Sequence, residues 1–245
     1  MKKIISTVEA RMTSARLPGK VLKEAVGMPM LEVLIRRLKK VDQLQEIVIA
    51  TTTNKADDAI VELARNMKVS FFRGSEEDVL SRVLCAAKEY IADIIVEITG
   101  DCPLVDPQIV TQAINLYMKN SCDYVCNIEP VTFPIGMDVQ IFSTDVLALV
   151  DRESVTLEDR EHVSWFIRRQ PKRFKILNFS APPNLFWPDL SLTLDEYEDY
   201  LLLKNIIEHF SPDMHFSCGQ MLDYLRNHPE LLEINKNVKR KEPSR

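Results

Sequence analysis

Short β-branched runs alternate with helix-period segments four times in about the first 120 residues, and that rhythm constrains the fold more than anything else in the chain. Ile4–Val8, Glu46–Thr51, Val69–Phe72 and Asp93–Thr99 are apolar on successive residues, as strands buried on both faces are. Between and after them, Met30–Val41, Asp57–Met67, Glu76–Tyr90 and Pro107–Lys119 place apolar side chains at helical spacing. In the first helix these are Leu31, Leu34, Ile35 and Leu38, with Pro29 in the first turn. Ser75 and Asp78 stand at capping-box spacing before the third helix. The pattern predicts an α/β fold: a doubly wound, mainly parallel sheet with helices on both faces.

Beyond a strand at Asp123–Cys126 the rhythm changes. Phe133–Gly136 reads as a turn and Met137–Phe142 as a strand. Ser143 caps a helix through Val150, and Glu158–Gln170 reads as one further helix. Arg173–Phe179 and Ser191–Leu194 read as strands of a small antiparallel extension, and Asp195 introduces a helix at Tyr197–Phe210. Two short helical stretches follow. Without a Pro/Gly-rich linker or repeat, residues 1–238 are expected to form a single domain, with an acceptor or dimerisation subregion at about 127–190. The basic residues 239–245 are expected to be a disordered tail.

A net charge of −5 argues against nucleic acid held through bulk positive charge, so cations that matter must act locally. The five cysteines lack zinc-ligand spacing and read as reduced thiols. The sequence shows neither a signal-peptide pattern nor a membrane-length apolar run, and the expectation is a cytoplasmic protein with no membrane partner.

The loop after the first strand carries Arg11, Ser14, Arg16 and Lys20. Ligands of open α/β sheets bind at the carboxyl ends of the strands, and fixed cations there suit a polyphosphate. The same cations also fit a solvated, charged turn. Asp101, in Gly100-Asp101-Cys102-Pro103, follows another strand, where a carboxylate suits a hard cation such as Mg²⁺. An Asx-turn or helix cap is the structural alternative. Asp195 offers a second carboxylate, with the N-cap of the following helix as its alternative.

Residues 10–22, Ala-Arg-Met-Thr-Ser-Ala-Arg-Leu-Pro-Gly-Lys-Val-Leu, resemble the signature of cytidylyltransferases that make CMP-activated sugars. Further matching segments are Arg73–Leu80, Ile98–Leu104, Phe133–Val139, Arg160–Val163 and Leu192–Asp195, so the likeness spans roughly residues 3–205. It is nearest to spore-coat polysaccharide cytidylyltransferase-like proteins and more distant from 3-deoxy-manno-octulosonate and acylneuraminate cytidylyltransferases. The resemblance implies a nucleotide-diphospho-sugar transferase type of fold and a homodimer. It also implies a Mg²⁺-dependent reaction of CTP with a small sugar-type acceptor, releasing pyrophosphate.

By the same resemblance Arg11, Ser14, Arg16 and Lys20 grip the triphosphate, and Ala10 and Gly100 belong to the nucleotide site. Arg73 and Ser75 are implied on the base or ribose side, and Asp101 and Asp195 as magnesium ligands. Lys20, Arg16 and Asp101 are the implied catalytic residues, and Asp138, Arg160 and His162 the implied acceptor contacts. His162, with Trp165 and Phe166 nearby, also reads as a structural or interface histidine. Two residues depart from the family pattern. Glu9 replaces a common Gln and sets a negative charge near the nucleotide. Ser191 replaces a common Arg and removes an expected cation near Asp195. A nucleotide-sugar-dependent glycosyltransferase and a catalytically impaired nucleotide-binding homologue are the rival expectations.

Overall fold

The structure, a computed structural model, describes residues 2–240. β1 (Ile4–Glu9) is the central strand of the parallel half, and a hairpin of β2 (Glu24–Ala25) and β3 (Met28–Pro29) leads into α1 (Met30–Leu38). β4 (Glu46–Thr52), α2 (Asp58–Met67), β5 (Ser70–Gly74), α3 (Val79–Glu89), β6 (Ile94–Thr99) and α4 (Pro107–Lys119) complete the predicted alternation. The second half contains β7 (Tyr124–Cys126), β8 (Gln140–Ser143), α5 (Thr144–Glu153), α6 (Leu157–Glu161) and α7 (Trp165–Arg168). After these come β9 (Ile176–Asn178), α8 (Tyr197–Phe210) and α9 (Cys218–Asn227).

One seven-stranded sheet runs β5-β4-β1-β6-β8-β7-β9. β5, β4, β1 and β6 are mutually parallel, while β8 lies antiparallel between β6 and β7. The sheet divides two cores. Ile4, Val8, Val96 and Ile98 face α1, α4 and α8, whereas Ile5, Ile95 and Phe142 face α3 and α5. Strand side chains alternate between faces, so both sets are buried only because helices cover both. Arg37 of α1 is fully buried and donates to the carbonyls of Val105, Met214 and Phe216, binding α1 to the approach to α9.

Several expectations need correction. α3 begins at Val79, not Glu76: Asp78 is its N-cap and accepts from Ser81 N at 2.9 Å, while Ser75 Oγ accepts from Asp78 N. The single helix expected at 158–170 is two, because Ser164 Oγ donates to Gln140 Oε1 at 2.5 Å and draws the chain toward β8 between them. Ser191–Leu194 is no strand. Its backbone groups bond to Ile135, Asp101 and the Asn235 side chain in turn, leaving only an isolated bridge to Ile135. β9 joins β7 in parallel rather than antiparallel. The helix after Asp195 is capped by Glu196, which leaves the Asp195 carboxylate for other partners. In the stretch expected to be a disordered tail, Arg240 pairs with Asp199, and residues 241–245 lie outside the described residues.

Candidate active site

The loop after β1 is pinned before its cations are placed. Asp57, fully buried at the start of α2, accepts from Met12 N at 2.7 Å and from Thr51 Oγ1, Thr52 N and Thr52 Oγ1. Gly19 closes the loop through its N–H on Met12 O at 2.8 Å, in a left-handed conformation (φ 69°) that favours glycine. Lys20 therefore begins a short 3₁₀ turn aimed back over the sheet edge.

Asp101 arrives from β6. Gly100 N donates to Glu9 O at 2.9 Å, and a Cβ on Gly100 would stand 2.6 Å from that same oxygen, so only glycine permits this approach of the strand ends. Leu194 N donates to Asp101 O at 2.8 Å and brings Asp195 alongside. Behind Asp195, the buried Asp199 accepts from the N–H groups of Asp195 and Glu196 and is itself held by Asn235 and Arg240.

The result is one charge cluster. Lys20 Nζ lies 3.1 Å from Asp101 Oδ2 and 3.0 Å from Asp195 Oδ1, and Arg16 Nη2 donates to the same Asp195 oxygen at 2.7 Å. Burial works against the Lys20 ammonium, but Asp101 and Asp195 outweigh it and hold its pKa above the ordinary value. Burial likewise opposes the Asp101 carboxylate, and Lys20 with the Thr99 hydroxyl holds it below the ordinary carboxylate range. Arg16 Nη1 is buried without a hydrogen-bond partner, a donor free for an anion.

These groups open on a cavity of about 480 Å³ that runs along the carboxyl ends of β1 and β6. Ala10, Arg11, Ser14, Arg16, Lys20, Gly100, Asp101 and Asp195 all line it, and His162 lines its far side. The other sequence-predicted contacts do not reach it. Arg73 spends its guanidinium on Thr52 O, Asn54 O and Asp58. Ser75 caps the approach to α3, and Arg160 is bound to Asp78 and Asp151. Asp138 stands outside the lining, where burial pushes its carboxyl up to about 6. The missing arginine at Ser191 leaves no deficit at Asp195, because Arg16 and Lys20 both reach that carboxylate.

Sequence reasoning missed Arg82, Glu97, Gln140, Ser164 and Arg168, which line the inner part of the cavity. Arg82 and Arg168 sit in helices whose polar residues read as solvent-facing. Glu97 interrupts an apolar strand and was the one available signal.

Among the described residues no three His, Cys, Asp or Glu side chains converge as a self-sufficient metal cage. Two converging carboxylates do fit Mg²⁺, which is commonly held by one or two carboxylates together with substrate phosphates.

An open α/β sheet with a cationic loop, Asp101 at a strand end and Asp195 beside it is the setting for a nucleotide, bound at the carboxyl ends of the strands. The sequence matches the cytidylyltransferase family over residues 5–234, and the chain belongs to that family. A cytidylyltransferase structure from Leptospira borgpetersenii superimposes with a TM-score of 0.91 at 32% identity, covering 99% of this chain and 100% of that one. The spore coat polysaccharide biosynthesis protein SpsF of Bacillus subtilis is 29% identical over 94% of this chain and 97% of its own length. The 3-deoxy-manno-octulosonate cytidylyltransferase of Geobacter metallireducens is 33% identical over 112 residues, 46% of this chain and 43% of that protein. Among the described residues no helix is long and apolar enough to cross a membrane.

Proposed function

We propose that this cytidylyltransferase uses Mg²⁺ and CTP to activate a small sugar-type acceptor, releasing pyrophosphate, in the synthesis of a surface polysaccharide or related glycan. The observation that carries the reading is Lys20 Nζ suspended between Asp101 and Asp195, with Arg16 on the second carboxylate. The relatives acting in spore-coat polysaccharide and octulosonate activation support a sugar-type acceptor.

In this reading Arg11, Arg16 and Lys20 bind the triphosphate, with the unpartnered Arg16 Nη1 meeting a phosphate oxygen. The acceptor oxygen attacks the α-phosphorus, the bond to the β-phosphate oxygen breaks, and the leaving pyrophosphate carries away that electron pair. Lys20 and Arg16 stabilise the charge that builds on it. Mg²⁺, held by Asp101 and Asp195, supplies charge neutralisation and orientation of the phosphates when bound. Phosphoryl-type transfer asks the protein mainly for positioning and electrostatics, which this cluster provides. The cationic cluster suits a triphosphate better than the diphosphate of a nucleotide-sugar, which sets the glycosyltransferase reading behind this one.

Thermal stabilisation by each of the four nucleoside triphosphates with Mg²⁺, followed by pyrophosphate release across an acceptor panel, tests the proposal. CTP is expected to stabilise most. Preferential stabilisation by another nucleotide overturns the cytidine assignment, and CTP binding without turnover on any acceptor favours the impaired homologue. A homodimer formed through residues 127–190 and a cytoplasmic setting belong to the same proposal. Sedimentation equilibrium checks the first.

A further inference from the structure

We infer that the inner end of the cavity binds a protonated amine carried by the acceptor, with Glu9 and Glu97 as its carboxylate partners; the inference rests on the cytidylyl-transfer reading above. The two acids occupy adjacent strands. Glu97 of β6 pairs in register with Thr7 of β1, and Glu9 with Thr99, so both side chains leave the same face of the sheet and form part of the cavity's inner wall. Glu97 is 5% exposed. Both carboxylate oxygens of Glu9 and Oε2 of Glu97 are buried with no hydrogen-bond partner.

Leaving a buried polar atom unpaired is costly, so three together in a cavity wall mark a place for donors that arrive with a ligand. The neighbouring cations do not supply those donors. Arg82 Nε donates to Ala50 O at 3.2 Å and its Nη1 to the carbonyls of Ser75 and Glu76, while Arg168 Nε donates to Glu129 Oε1 at 2.6 Å. Gln140 Oε1 already accepts from the hydroxyls of Tyr124 and Ser164.

Charge points the same way. Burial pushes the Glu97 carboxyl up to about 8, despite the field of Arg168. Burial and the Glu97 charge together raise Glu9 well above the carboxylate range, with Arg82 opposing. Arg82 and Arg168 line this end as well and offset part of the acids' charge, but neither donates to the pair. A hydroxyl brings one donor, whereas an ammonium brings three donors and a positive charge in one group. Arg11, Arg16 and Lys20 stand at the phosphate end of the cavity, and the paired acids, with Arg82 and Arg168 beside them, at the other. The substrate class that matches is an amino sugar, as its phosphate or acid, with the amine free.

The test uses matched probes differing only at the amine: glucosamine 1-phosphate against glucose 1-phosphate, and glucosaminate against gluconate. Each is titrated into the wild-type protein and the Glu9→Gln and Glu97→Gln variants in the presence of Mg²⁺ and CTP. Pyrophosphate release and thermal stabilisation are both followed. For at least one pair the free-amine member is expected to be favoured at least about tenfold in wild type, falling to within about threefold in Glu97→Gln. The CTP-induced stabilisation should persist in that variant. Equal responses within every pair, including no response to either amine, overturn the inference, as does a preference that survives both substitutions. Loss of CTP-over-UTP selectivity in the variants, with acceptor response unchanged, overturns it too and gives the acids to the base. CTP failing to stabilise the wild-type protein would instead bring down the underlying reading.

Discussion

Lys20 is held by two carboxylates which, among the described residues, have no other cation so near apart from Arg16 on Asp195. Removing its ammonium takes a charged donor from the leaving group and leaves two acids facing each other. Such a donor is worth about 3 kcal/mol in a transition state, so Lys20→Ala and Asp101→Asn should each lower turnover about a hundredfold or more. Circular dichroism should show the fold intact, and wild-type turnover in both purified variants would refute the roles assigned. Glu97 yields a prediction of opposite kind. Its folded pKa of about 8 lies above the ordinary 4.5, so between these values the folded chain keeps a proton that the unfolded chain has released. Stability from this group therefore falls as pH rises through that window and levels above it. At Glu97 the charge of Arg168 opposes the burial; at its neighbour Glu9 burial and the Glu97 charge act against Arg82. Glu97→Gln should gain melting temperature relative to wild type on going from pH 5 to pH 8; a constant difference would show that the carboxyl is not protonated. The cationic loop could be read from sequence because Arg11, Ser14, Arg16 and Lys20 crowd into the ten residues that follow a buried strand. Asp57 could not, and Glu97 showed only as a charge interrupting an apolar strand: what makes them matter is their burial and partners, which only the tertiary structure supplies.

Elements whose limits are set by their own residues fell where the sequence places them. α4 spans Pro107–Lys119, with Pro107 in its first turn and the Asp106 side chain accepting from Gln108 N, and α8 spans Tyr197–Phe210 behind a capping box. Elements whose limits are set by distant partners did not. The break between α6 and α7 depends on Gln140, and the path of residues 191–194 on Ile135, Asp101 and Asn235. That last path shapes a prediction. Asp199 is fully buried, orders the N–H groups of Asp195 and Glu196, and takes both terminal nitrogens of Arg240 at 2.7 and 2.6 Å. Arg240→Ala leaves the acid one charged partner short, at a cost of about 2 kcal/mol measured by urea unfolding. Because the segment that Asp199 orders carries Asp195, KM for CTP should rise as well. A stability loss with KM unchanged would mean that the segment is only packed, not positioned, by Arg240.

At the scale of the whole molecule, the cavity draws on strand ends and loops spread from residue 9 to residue 195, and its wall is braced from residue 240. The fold class was legible because parallel strands buried on both faces write themselves as apolar runs, but the convergence of Lys20, Asp101 and Asp195 is a property of strand order, which local sequence does not carry. The brace has a consequence for biosynthesis. A chain leaving the ribosome can pair β1, β4, β5 and β6 early, and so present the phosphate-binding loop and Asp101. Asp199, which orders the N–H group of Asp195, gains its arginine partner only once residue 240 has emerged. Polypeptides terminated just before that residue would carry every group of the catalytic cluster but without the brace behind Asp195.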